Sequence, residues 1–364
     1  MTDKMKQEAG NNSQLVQAQT INCTIQREVS KEEAKKIVNE LFVQKAQELT
    51  SVARETASKR TEEFGKVLIP RIEKIENTLA SFSDPEFQIL LGLANKTAMQ
   101  TDNVDEYKLL SELLAHKIQK HEDKKIGTGI NRAIQIVNEI DTDSLLSLSM
   151  YFAVSTFTPM ASDVSKALSV MDDLFSKIMQ HGLLPTGTDW MDQLDVLGCA
   201  RISDITSPLK LEDIYLRFLK ERFACGFKKD SDIYVKAMGL LSSNALPSDV
   251  LVPNEFDPNY CRLSVTEESQ IDKMKLTQFW MVTVDLTKEQ KEVLHQIFHM
   301  YTQNPELQAI SDSSIRKKFI DYQSIQAVSK WWNQIPHSMQ ITSVGKVLAY
   351  TNIKRIIPDI PPLY

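Results

Sequence analysis

Glycine is scarce in this chain, at 11 of 364 residues, where a globular protein averages ~7%. A glycine-built nucleotide fold or a turn-rich β sandwich would need more, so long helices are the expected alternative. Cysteine is scarce as well. Cys23, Cys199, Cys225 and Cys261 lie far apart with no C-x-x-C pair, which excludes a disulfide scaffold and points to a reducing compartment. The N-terminal MTDKMKQEAGNNSQ lacks the apolar core of a secretory signal, and a cytoplasmic location is expected. Charge of one sign is also missing: the net balance is only −6. That value bears on solubility and excludes a protein that coats nucleic acid along its length. Cations outnumber anions locally in 286–364, nine Lys/Arg against six Asp/Glu, so only this stretch suits phosphate.

Several enzyme signatures are absent. GTG at 127–129 is not followed by the Lys-Ser/Thr of a phosphate loop, and neither G-x-G-x-x-G nor G-x-S-x-G occurs. None of the six histidines follows an arginine at the spacing of helical toxin ribonucleases. No catalytic residue, cofactor or metal is therefore expected.

What the chain does contain is helix after helix. Apolar residues make up 42% and charged residues 25%, the balance of an ordinary globular protein, and the length suits two or three modules. Residues 1–29 are polar and read as a flexible N-terminal segment, with Ile21, Cys23 and Ile25 alternating in a short strand-like stretch. Ser30 and Glu33 form a capping box, predicting a helix from Ser30 to about Phe64. Its narrow stripe, with Phe42, Leu49 and Val52, suits close helix pairing and marks a candidate self-association surface. Asp84-Pro85 predicts another helix start, and VDEYKLLSELLAHKIQKH an amphipathic helix.

Residues 30–241 read as one helical domain. Three prolines among LLSSNALPSDVLVPNEFDPNYCRLSV mark 242–265 as an irregular linker. Residues 266–364 read as a C-terminal helical or winged-helix-like module. There SSIRKKFIDYQSIQAVSKWW is expected as one helix, with Arg316, Lys317 and Lys318 near its start as candidate nucleic-acid contacts. MQITSVGKVLAYTNIKR follows as strand, turn and helix, with Gly345 where the turn meets the helix, a place intolerant of a Val side chain if the backbone there needs a positive φ. The fold class is all-α, a multi-helix array.

Three further constellations have competing readings. Residues 144–162 hold no charge, but eight of the nineteen are Ser, Thr or Pro; a buried core helix is favoured over a membrane segment. His295 and His299 have the i, i+4 spacing of metal ligands but lack the Glu of H-E-x-x-H, so a hydrogen-bonded flank is expected. Asp189, Asp192 and Asp195 suit an acidic helix start better than a cation site.

Three stretches carry a resemblance. They are VSKEEAKKIVNELF with ARETASKRTEEF, then DPEFQILLGLANKTAMQTDNVDEYKLLSELLAHKIQK, then ITSVGKVLAYTNIKR. Together they resemble an uncharacterised bacterial all-helical family similar in layout to abortive-infection proteins. The resemblance implies a non-enzymatic cytoplasmic interaction protein in anti-phage defence, working through a protein partner or self-association. A DNA-binding regulator and a membrane-acting effector are the alternatives, and no membrane contact is expected in the resting state.

Overall fold

The computed structural model describes residues 30–46, 50–75, 78–119, 124–159, 161–278, 282–301 and 305–362. The first half is helical throughout: α1 (Lys31–Ala46), α2 (Ser51–Ile72), the single turn α3 (Thr78–Ser81), α4 (Pro85–Ala98), α5 (Val104–Gln119), α6 (Lys124–Ile136), α7 (Thr142–Thr156), α8 (Val164–Met179) and α9 (Asp189–Val196). Short strands then appear between helices: β1 (Ala200–Ser203), α10 (Leu211–Phe223), β2 (Phe227–Lys228), α11 (Asp232–Ser243), β3 (Leu251–Pro253), β4 (Tyr260–Leu263), β5 (Lys275–Gln278) and β6 (Val282–Asp285). The chain closes with α12 (Lys288–Phe298), α13 (Pro305–Phe319), α14 (Gln323–Trp332), β7 (Ser338–Ile341) and α15 (Ser343–Ile356). The protein is mainly helical, as its composition requires.

Local chemistry sets several of these starts. Ser30 and Glu33 exchange the two bonds of the capping box, at 2.9 and 3.2 Å. Asp84 accepts from the Glu86 amide with Pro85 at the first helical position. Asp141 caps α7 through the Ser144 amide at 2.6 Å.

The long helix expected over 30–64 is divided. α1 ends at Ala46, and a second helix starts after Thr50, whose backbone is extended. Thr50 and Ser51 are residues whose side chains favour helix starts over helix interiors. The new helix then runs on to Ile72.

The main core is built by α1–α10 and by α13–α15, with Phe64, Leu110, Leu148, Phe175 and Leu348 fully buried. α15 lies across α5, α6 and α7 and is buried at every residue from Val347 to Ile353. α7 is likewise buried from Leu146 to Val154. No helix among the described residues is long and apolar enough to cross a membrane.

A second, smaller core gathers Phe227, Leu241, Leu263, Ile271, Leu294 and Ile297. Around it stand the antiparallel sheet β2–β4–β3, α11, α12 and the 3-10 turn Glu268–Lys273. Within the irregular stretch expected at 242–265 stand β3 and β4, in register Val252↔Arg262. Its prolines lie in turns and at a strand edge, where a missing N–H costs nothing.

The C-terminal module expected at 266–364 is divided as well. α12 belongs to the small core, whereas α13–α15 return to the main one. β7 pairs antiparallel with β1, Ala200↔Ile341, in a two-stranded sheet joining distant parts of the chain.

Candidate interaction surface

α1 and α2 pack side by side and leave an open groove of ≈ 800 Å³ between them, within the volume range of ligand pockets. Val38 and Val43 line it from α1; Arg54, Glu62, Gly65 and Ile69 line it from α2. Gly65 sits mid-helix, where a Cβ would meet nothing within 4 Å, so the chain's own packing does not require a glycine there. Thr61 on the same wall donates to Asn95 Oδ1 at 3.1 Å and ties α2 to α4. Lys66 bridges Glu62 and Glu63 at 3.1 and 2.8 Å, and its hydrogen bonds to Glu63 and Glu62 raise its pKa. The groove is apolar within and mixed in charge at its rim, a surface suited to an amphipathic helix.

Of the self-association trio, Val52 stands 75% exposed at the start of α2. The side chains of Phe42 and Leu49 lie outside the described residues. The structure adds Val43, 57% exposed on α1, which the stripe did not include.

The cationic triplet is placed differently from the expectation. The helix expected over 313–332 is two helices, α13 and α14, and Arg316, Lys317 and Lys318 fall in the last turn of α13. Arg316 pairs with Asp213 of α10 at 2.9 Å. Lys318 donates to Ser165 Oγ at 2.9 Å and lies 3.6 Å from Glu255. Lys317 is exposed. A recognition helix presents its N-terminal turn to a groove; this triplet stands at a C-terminal turn, with two of its members bonded within the chain.

Asp189 and Asp192 occupy the first turn of α9, the acidic start expected. His295 and His299 are hydrogen-bonded, and their partner is remote: Glu268 Oε1 lies 2.9 Å from each. Among the described residues no group of three or more His, Cys, Asp or Glu could hold a metal ion. The groove went unread in the sequence because it is a gap between two helices that appeared as one. Its single local signal was Gly65, set among residues otherwise fit for a helix interior.

The structure is thus a helical body with an open, partly apolar cleft between two of its helices. Residues 29–361 match a family model whose description reads only ":-like", so the chain belongs to that family without an activity following from it. No curated protein and no solved structure matches the chain.

Proposed function

We propose that this protein works by macromolecular contact, with the α1–α2 groove as its working face and a second copy of the chain as its first partner. The open groove, lined in part by the exposed Val43, is the observation that carries this reading. Val43 in the groove wall and Val52 at the start of α2 both expose apolar surface, and covering such surface is favourable by ~25 cal/mol per Å². The resemblance to abortive-infection proteins supplies the setting: a cytoplasmic bacterial interaction protein in anti-phage defence.

Light scattering tests the contact. At about 50 µM, where a partner of micromolar Kd is largely bound, the wild type should be dimeric or larger. Val43→Asp with Val52→Asp should give a folded monomer. A monomeric wild type would remove self-association and leave a foreign protein as the occupant, to be sought by pull-down from phage-infected cells. The DNA-binding alternative requires tight, salt-sensitive duplex binding lost on triple alanine substitution of Arg316, Lys317 and Lys318.

A further inference from the structure

We propose that a cleft at the meeting of α5, α7 and α15 binds a small zwitterion of the α-amino-acid class, with glycine as the type. The cleft is separate from the α1–α2 groove. It has a volume of ≈ 80 Å³ and brings together Asp105, Glu106 and Leu109 of α5, Leu146 of α7, and Asn352 and Arg355 of α15. Leu109, Leu146 and Asn352 are buried, and the Arg355 side chain is 12% exposed.

Two polar atoms of this lining are buried and have no hydrogen-bond partner: Nε of Arg355 and Oε2 of Glu106. The other atoms of both groups are in use. Arg355 Nη1 lies 2.9 Å from Asp105 Oδ1, and Nη2 donates to Asn352 Oδ1 at 3.0 Å. Glu106 Oε1 accepts from Asn103 Nδ2 at 3.2 Å. A buried donor or acceptor left unpaired is costly, more so on a charged group. A ligand that offers an acceptor to Arg355 and a donor to Glu106 removes both costs.

Charge decides the class of that ligand. Asp105 serves two cations, Arg355 at 2.9 Å and Lys108 at 3.0 Å, so one positive charge is left over beside the cleft. Glu106 forms no ion pair among the described residues. His181, also in the lining, is neutral at neutral pH, because burial and then Arg355 hold its imidazole below the ordinary 6.5. A simple anion would meet the unpaired Glu106, and a simple cation would meet Arg355. A carboxylate on Arg355 Nε and an ammonium on Glu106 Oε2, carried by one molecule, answer both with charge-assisted bonds. Size limits the rest. A cavity of ~150 Å³ holds a benzene ring, so ≈ 80 Å³ leaves room for only a few non-hydrogen atoms.

Ligand-observed NMR on the full chain should show glycine binding with a Kd of about 1 mM or tighter, so that about 10 mM fills most of the sites. Acetate and methylamine, which each carry one of the two charges, should bind at least about tenfold more weakly. Glu106→Gln keeps an acceptor for Asn103 and removes the charge. It should weaken glycine binding about tenfold and leave acetate binding no weaker. Should that variant fail to fold, the three titrations of the wild type decide. No glycine binding at about 10 mM would mean that water alone fills the cleft, and the proposal would fall. It would fall equally if acetate or methylamine bound as tightly as glycine, or if folded Glu106→Gln bound glycine as the wild type does.

Discussion

Gly345 shows how a single residue is chosen by what lies above it. A Cβ there would stand 2.0 Å from the Cys199 carbonyl oxygen and 2.8 Å from Ile341 Cγ2. A positive φ is not the reason; among the described residues Gly182, Gly187, Gly198 and Gly226 are the glycines in that region. Gly345 is instead fixed by the backbone leading into β1, which crosses the first turn of α15. Gly345→Ala should therefore cost about 1–3 kcal/mol by overpacking, read as a lower urea midpoint with an unchanged slope. Ser149, fully buried on α7, donates to Leu145 O at 2.8 Å and accepts from Asn352 Nδ2 at 2.9 Å. Ser149→Lys would place an unpaired ammonium in the main core and should abolish the cooperative thermal transition. Burial pushes the Cys199 thiol up to about 12 and the Cys225 and Cys261 thiols up to about 11. All three should resist iodoacetamide at pH 8 and react only on unfolding, as mass spectrometry of labelled peptides would show.

Among the elements, α14 is capped from outside its own segment. Asp172 of α8 accepts from the amides of Ser324 and Ile325 at 2.8 and 3.0 Å, satisfying donors that the helix start leaves open. Tyr322, at the cap position, supplies no side-chain bond to the helix. Asp172→Ala should cost about 1–2 kcal/mol, the loss expected for an N-cap, and thermal melting would check it. This remote cap accompanies the break between α13 and α14 that leaves the cationic triplet at a C-terminal turn. α15 ends in a comparable way. Arg355 pairs with Asp105 of α5 at 2.9 Å and with Asn352 Oδ1 at 3.0 Å, so the basic ending fastens one helix to another.

Across the whole molecule, a handful of polar groups joins the two cores. Buried Arg262 on β4 donates to Ser162 O at 3.1 Å, and Arg222 on α10 pairs with Glu267. Asn254 donates to Phe223 O and Cys225 O at 2.7 and 3.0 Å. Glu255 accepts from the Val164 amide at 3.0 Å, at the start of α8. Acid should weaken the fold through two carboxylates on the main core. Burial alone would raise Asp163 and Glu212, but hydrogen bonds from Lys166 and Ser162 to Asp163, and from Ser329 and Asn333 to Glu212, hold both below their ordinary values of 3.8 and 4.5. A depressed folded-state pKa stabilises at pH above the ordinary value, and that contribution is lost as pH falls through the folded one. Urea midpoints should therefore decline as pH falls below about 4, less steeply in Glu212→Gln.

The amino-acid order alone determined the helical class, the capped starts at Ser30 and Asp84, and the burial of the uncharged stretch in α7. These follow from local chemistry: a capping side chain reaches three residues, and an apolar run has few places to go. It also showed His295 and His299 one turn apart. Only the tertiary structure brought Glu268 between them, placed β3 and β4 in a second core, and paired β7 with β1. It alone opened the groove where two helices had read as one, and turned the cations of α13 toward Asp213, Glu255 and Ser165. Each of these depends on a partner many residues away, and local spacing holds no record of which distant backbone or carboxylate will arrive.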